Sequence, residues 1–351
     1  MTTLIVYLGR SGAGTDLANN LHFAYRALGK PVFSILSSYN EEKLIPKNEM
    51  MSILTYRSVI GFVFSLILLP YWVAKISDLC KTMGVEKIVF PMNTPYSVVV
   101  QVLLHIIGYK VYPILHDAIR HPGDPYKVVT FFLTFLELRM CRKVIFLNKV
   151  VKNSALQIYR IKKEKAISLF LPLPSFELNN DRGIKEYDVL FFGRITTYKG
   201  VDILLQANRI MLENGYSIKV GIFGKSNKDL LITEKNVHFE NRYLKQNEIY
   251  EIIGLSRMLV LPYIEASQSG VAAFAVHAEL PIVATPLDSL IEQLEGTGTM
   301  FASEVSPEAI AEVVSSVLSD GVLFDDLVKK HKKVKEEMSW EKFVVAFEGL
   351  K

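Results

Sequence analysis

Two cations five residues apart, Arg194 and Lys199, stand where an apolar run meets a helical pattern in residues 187–200, YDVLFFGRITTYKG. A planar guanidinium fork and a point-charge ammonium at a strand-to-helix junction suit the oxygens of a phosphate-bearing ligand. Gly193 before Arg194 and Gly200 after Lys199 strengthen that reading against an ordinary surface salt bridge. Residues 259–285, LVLPYIEASQSGVAAFAVHAELPIVAT, also read as strand, loop, helix, strand. Their loop, Ser267, Gln268, Ser269, Gly270 and Val271, would set backbone N–H groups and hydroxyls at a helix start, where phosphate is favoured. The two stretches together outline a diphosphate cradle. Ser267 and Ser269 are equally fit to cap the helix, which is compatible with phosphate binding. Glu265 can either stabilise the helix start or hydrogen-bond a sugar.

The first half offers weaker chemistry. A strand at 4–8 runs into GRSGAG, where Gly12 and Gly14 allow close backbone approach, although the spacing is a poor dinucleotide fingerprint. After a strand at 111–115 comes HDAIRHPGD, residues 116–124. The carboxyl end of a parallel strand faces the ligand crevice, so His116 and Asp117, or His121, could orient or polarise a substrate hydroxyl; a structural histidine is the plain alternative.

The elements that must position these groups alternate. Strands at 4–8, 31–36, 53–56, 87–90, 111–115 and 143–147 are separated by helical patterns, as are strands at 188–192, 218–223, 237–239, 258–261, 282–285 and 300–302. Such alternation predicts an α/β chain with two doubly wound, Rossmann-like domains. The chain of 351 residues is long for one domain. Domains are expected at 1–172 and 187–335, with a Pro-punctuated linker at 173–186 and a closing helix at 336–351.

Two cysteines, Cys80 and Cys141, imply no disulfide framework and fit a reducing, cytoplasmic setting. Mean hydropathy is high at +0.24. Residues 1–172 carry 21 Lys and Arg against 10 Asp and Glu, net +11, whereas the remainder is net −7. A basic first half could meet nucleic acid or an anionic membrane; the apolar runs at 59–73, 98–107 and 128–138 favour the membrane. The run at 59–73 is broken by Pro70 and too short to span a bilayer, so it reads as a buried core helix or one dipping into the interface.

FFGRITTYKG, LPYIEASQSG and ELPIVAT, in two doubly wound domains, resemble the GT-B fold and specifically glycosyltransferase family 4. The resemblance implies two domains facing a central cleft, the first binding acceptor and the second a nucleotide sugar, with the closing helix at 336–351 crossing back to the first domain. It implies that Arg194 and Lys199 contact the donor diphosphate and that His116 stands beside the transferred sugar. One departure concerns the family's Glu-x7-Glu: eight residues after Glu265 stands Ala273, so the second acid is missing and SQSGV looks like the replacement found in a subset of these enzymes. Retention at the anomeric carbon is implied by the family alone.

Breaking the bond from anomeric carbon to phosphate leaves negative charge on a nucleoside diphosphate, which fixed positive charge stabilises. No cofactor or metal is then expected; the sequence has no Asp-x-Asp and no His/Cys cluster of ligand spacing. The expected reaction is hexosyl transfer to a glycan or lipid-linked acceptor in polysaccharide or glycolipid synthesis, on the inner face of the membrane. Two other classes stay open: a sugar-nucleotide-binding protein without turnover, prompted by the missing glutamate, and a nicotinamide-dependent oxidoreductase, prompted by GRSGAG.

Overall fold

The computed structural model describes residues 2–10, 12–40, 42, 44–118, 127–175, 185–226 and 232–350. The chain folds as two units, Met1–Phe170 with Trp340–Lys351, and Leu171–Ser339. The expected linker at 173–186 thus begins inside the second unit; its residues 176–184, and His121 in the first half, lie outside the described residues.

The first unit runs β1 (Thr2–Tyr7), α1 (Ala13–Ala27), β2 (Val32–Ser37), β3 (Met50–Ile53), α2 (Val59–Ile67), α3 (Leu69–Thr82), β4 (Val85–Phe90), α4 (Pro95–Ile106), β5 (Val111–Leu115), α5 (Lys127–Met140), β6 (Val144–Phe146), α6 (Lys149–Tyr159) and β7 (Ala166–Ser168). Its strands form one parallel sheet in the order β3-β2-β1-β4-β5-β6-β7. Strands covered on both faces must be apolar throughout, and β1, rich in β-branched residues, buries Leu4, Ile5 and Val6 completely. Helix starts follow local chemistry: Thr94 and Ser97 form a capping box at α4, and Asn148 accepts from the Val151 N–H to cap α6.

The second unit runs β8 (Tyr187–Phe192), α7 (Val201–Glu213), β9 (Val220–Phe223), β10 (Val237–Glu240), α8 (Gln246–Gly254), β11 (Ser256–Leu261), α9 (Gly270–His277), β12 (Ile282–Ala284), α10 (Asp288–Gln293), β13 (Met300–Phe301), α11 (Pro307–Ser319) and α12 (Gly321–Glu337). Its sheet is also parallel, in the order β10-β9-β8-β11-β12-β13. In both sheets the chain moves outward from a central strand and then returns to that strand's other side. The reversal falls between β1 and β4, and between β8 and β11, and the carboxyl ends flanking it are where doubly wound sheets bind ligands.

Two readings need correction, and one strand went unread. The strand expected at 53–56 lies at Met50–Ile53, paired with β2 through Ser34 and Met50, while Tyr56 packs edge-on to Phe62 at 4.8 Å. The edge strand β7, three residues long, is too short to show a pattern. The run at 59–73 is neither one helix nor buried throughout. Pro70 lacks an N–H and clashes with the preceding turn, so α2 and α3 meet at a bend of 54°, and Ile60, Phe64 and Ile67 are exposed. Among the described residues no single helix is long and apolar enough to cross a membrane, although this bent pair together meets that length and composition.

After Ser339 the chain returns to the first unit as α13 (Trp340–Glu348), which packs on α1. Burial of Phe343, Val344 and Phe347 supplies most of the attachment, at about 1.5–3 kcal/mol each. Glu348 fixes the register: Tyr25 Oη donates to it at 2.6 Å and Lys87 Nζ at 2.9 Å. Burial alone would raise its carboxyl pKa, but the Tyr25 hydrogen bond and Lys87 outweigh it and hold the group below the ordinary range. Such a group contributes stability above the unfolded carboxyl pKa and loses it as pH falls through the folded value. Glu348→Ala should therefore cost about 1.5–3 kcal/mol by urea unfolding at neutral pH, with the loss shrinking in acid. Equal loss at both pH values would remove Glu348 from that role.

Candidate functional site

The carboxyl end of β8 leads into Gly193, Arg194 and a single 3₁₀ turn, Thr197–Lys199, before α7. That of β11 leads through Pro262 and Tyr263 to Ser269 and α9. Two close approaches make these loops one structure. Gly200 has φ 66°, and a Cβ there would fall inside the Pro262 carbonyl oxygen. Gly193 has φ 122°, and a Cβ on it would meet Val271 Cγ2 at 3.3 Å. The Ile264 N–H, donating to the Tyr198 carbonyl at 2.8 Å, locks the loops together. Side chains larger than hydrogen would separate them.

Within this pair of loops Arg194 is exposed, its Nη2 3.4 Å from Tyr198 Oη. Lys199 Nζ lies 3.6 Å from the centroid of the Tyr263 ring, a cation–π contact that holds its ammonium in place. Tyr263 is fully buried, and burial pushes its hydroxyl up to about 12, so the ring stays neutral beneath the cation. Thr196 Oγ1, on the β8 loop, and Gln268 Nε2, on the β11 loop, are buried without a hydrogen-bond partner among the described residues. Each can donate, and a buried donor left unpaired costs about 1–3 kcal/mol. The site as it stands asks for acceptor oxygens.

The SQSG loop differs from its expected form. Ser269 is 1% exposed and is the N-cap of α9, its Oγ accepting from the Ala272 N–H at 3.1 Å. Its own N–H donates to Gln293 Oε1 at 2.8 Å, and Gln293 Nε2 donates to its carbonyl at 2.8 Å. Ser269 therefore shapes the loop rather than offering free groups to a ligand. Ser289 Oγ adds a bond to the Ala266 carbonyl at 2.6 Å. Ser267 and Gln268 form the rest of the loop, Gly270 and Val271 are the first residues of α9, and Glu265 is exposed, five residues before α9 and outside its first turn. Tyr263, Thr196, Ser289 and Gln293 escaped sequence reasoning. The last two act from α10, more than 20 residues downstream of the loop, and no local pattern marks them.

In the first unit, His116 Nε2 lies 2.9 Å from the Pro91 carbonyl oxygen, tying the loop after β5 to the loop after β4. Asp117 follows it, half-buried. Gly12 is the N-cap of α1 with φ 82° and open space beside it. Gly14 is different: the space its missing Cβ leaves is filled by the Tyr7 ring of the same chain, as is that beside Gly9. The glycines there accommodate an internal aromatic ring, which corrects the reading of Gly14 as a point of ligand approach. Among the described residues no group of three or more His, Cys, Asp or Glu side chains could hold a metal ion.

Gln293→Leu should release the Ser269 backbone while leaving the β11 strand intact. With two hydrogen bonds lost, amide hydrogen exchange over residues 266–270 should accelerate about 10- to 100-fold. Unchanged exchange would show that the loop is held by other contacts.

Residues 186–320 match the family described as Glycosyl transferases group 1. No curated protein matches the sequence. Among solved structures, HepE of Anabaena in complex with UDP and glucose is similar at TM-score 0.73 and 14% identity, covering 98% of each chain. The sucrose-phosphate synthase of Thermosynechococcus elongatus is similar at TM-score 0.73 and 12% identity, over 99% of this chain and 98% of that one. WaaG, a glycosyltransferase involved in lipopolysaccharide biosynthesis, follows at TM-score 0.63 and 16% identity, over 96% and 95%. The two parallel-sheet units, each with its helices and its reversal of strand order, are the two Rossmann-like domains of the GT-B fold, and the second of them carries the group 1 glycosyl transferase match.

Proposed function

We propose that this protein transfers a hexosyl group from a nucleotide sugar to a hydroxyl of a glycan or lipid-linked acceptor, in the synthesis of a cell-surface polysaccharide or glycolipid. The observation that carries the reading is the gathering of Arg194, Lys199, Thr196 and Gln268 on the two loops at the strand-order reversal of the second sheet. Cations and unpaired donors together fit a diphosphate. A nucleotide sugar bearing UDP is the first donor to test, because the similar HepE structure contains UDP and glucose.

In the proposed reaction the bond from the anomeric carbon to the phosphate oxygen breaks, and its electron pair stays on the departing nucleoside diphosphate. The acceptor oxygen bonds to the same carbon and gives up its proton. Retention, with the proton passing to the diphosphate on the same face, extends the family resemblance to mechanism. Arg194 and Lys199 stabilise the leaving charge without a metal ion, as positive charge fixed in position does. His116 and Asp117, at the end of β5 in the first unit, take the role of orienting the acceptor hydroxyl.

The first unit also suits attachment to an anionic membrane surface from the cytoplasmic side. Helices α3, α4 and α5 pack side by side, α2 and α5 expose Phe64, Ile67, Val129 and Phe132, and Lys75 and Arg139 stand over aromatic rings among them. Apolar insertion and basic residues act together on anionic lipid. Vesicles rich in phosphatidylserine should sediment the protein at low salt. Phe64→Glu with Phe132→Glu should weaken this at least about tenfold; equal sedimentation with neutral vesicles would refute the electrostatic part.

The donor site is tested by thermal shift across a panel of nucleotide sugars and by release of nucleoside diphosphate. Arg194→Ala should weaken nucleotide binding about 10- to 100-fold, as expected for losing charged hydrogen bonds worth about 1.5–3 kcal/mol, with the fold intact. An unchanged shift takes Arg194 out of the site. Binding with no diphosphate released from any donor would favour a protein that holds the nucleotide without turnover.

A further inference from the structure

The first unit contains a cavity of about 520 Å³ at the carboxyl ends of β4 and β5, within the size range of ligand sites. Asn93 lines it after β4, His116 and Asp117 after β5, and α5 forms a wall through Thr130, Thr134 and Glu137. Val98, Leu115, Phe131 and Tyr159 complete a lining that is otherwise largely apolar. Tyr159 Oη donates to the Ala118 carbonyl at 2.9 Å and its ring stacks on Phe131 at 5.1 Å, which secures α5 and α6 around the space.

Glu137 decides what charge the cavity accepts. It is 2% exposed, and burial pushes its carboxyl up to about 8, with Gln101 and Asn93 pulling the other way. At neutral pH it is an uncharged acid, able to donate as well as accept a hydrogen bond. Gln101 and Asn93 stand beside it, yet its Oε1 and the Nδ2 of Asn93 make no hydrogen bond of good geometry among the described residues. An anionic ligand would face Asp117 and a carboxyl that burial has neutralised, and for a cationic one the half-buried Asp117 is the one other acid among the described lining residues. Polar contacts in an apolar lining favour an uncharged group with hydroxyls. Val128 and Phe131 of α5 both line the cavity and are exposed, which gives an apolar chain a way out along this helix.

We propose that this cavity receives the acceptor of the transfer as an uncharged, hydroxyl-bearing head carried on an apolar chain. The proposal rests on the glycosyltransferase reading for the role of the ligand, and on the cavity for its chemistry. Octyl glucoside supplies such a head and chain, and octyl phosphate supplies the same chain with an anionic head. Held below its micelle-forming concentration, octyl glucoside should raise the melting temperature saturably, with octyl phosphate at least about tenfold weaker. Thr134→Phe, which fills the cavity, and Thr130→Trp, which obstructs it from the wall, should each weaken octyl glucoside at least about tenfold. Both variants should keep the nucleoside diphosphate shift of the wild type, which also reports that they fold. Wild-type affinity for octyl glucoside in both variants, or equal binding of octyl phosphate, overturns the proposal. Absence of any nucleoside diphosphate shift in the wild type would instead sink the transfer reading, and the acceptor role with it.

Discussion

Much of the second unit depends on how closely two turns of backbone can approach. Gly200 lies against the Pro262 carbonyl, and a Cβ on Gly224 would fall inside the carbonyl oxygen of Gly193. Neither contact survives a side chain. The Gly200 contact lets the loop after β8 and the loop after β11 form one surface, with Lys199 above the Tyr263 ring and Val271 beside Gly193, and the Gly224 contact lets the loop after β9 lie against Gly193. Electrostatic stabilisation of a leaving group is useful only if donors and charges are already in place, and steric exclusion at these glycines supplies that preorganisation.

The loops are supported from a distance by groups that carry no charge. Gln293 satisfies both the N–H and the carbonyl of Ser269, and Ser289 and Thr285 bind the carbonyls of Ala266 and Tyr263. These bonds hold main chain that would otherwise be poorly paired below the surface. The first unit achieves its rigidity differently. A short closing helix from the far end of the chain buries Phe343 and Phe347, and Glu348 takes hydrogen bonds from two separate elements.

What could be read from the sequence was local. The strands β1, β5, β8 and β11 announce themselves as apolar runs ended by a glycine, a histidine or a proline, and the pairing of Arg194 with Lys199 lies within one turn of such an end. Contacts between distant segments were invisible. Nothing in DSLIEQ tells that its glutamine will grip a loop 24 residues upstream, and nothing in GRSGAG tells that Tyr7 will occupy the space beside Gly14. The sequence left the exposure of α2 open, because the same apolar composition serves a core helix and a surface one. Glu137 reads as one acid in an apolar run, and only burial reveals it as a neutral group.

The central claim is that the second unit's two loops neutralise a diphosphate. A crystal structure of the protein with a bound nucleoside diphosphate tests it most directly. The account predicts phosphate oxygens within hydrogen-bonding distance of the Arg194 guanidinium and the Lys199 ammonium, with the Gln268 amide paired. A nucleotide bound elsewhere, or phosphates held only by residues outside these loops, would contradict it.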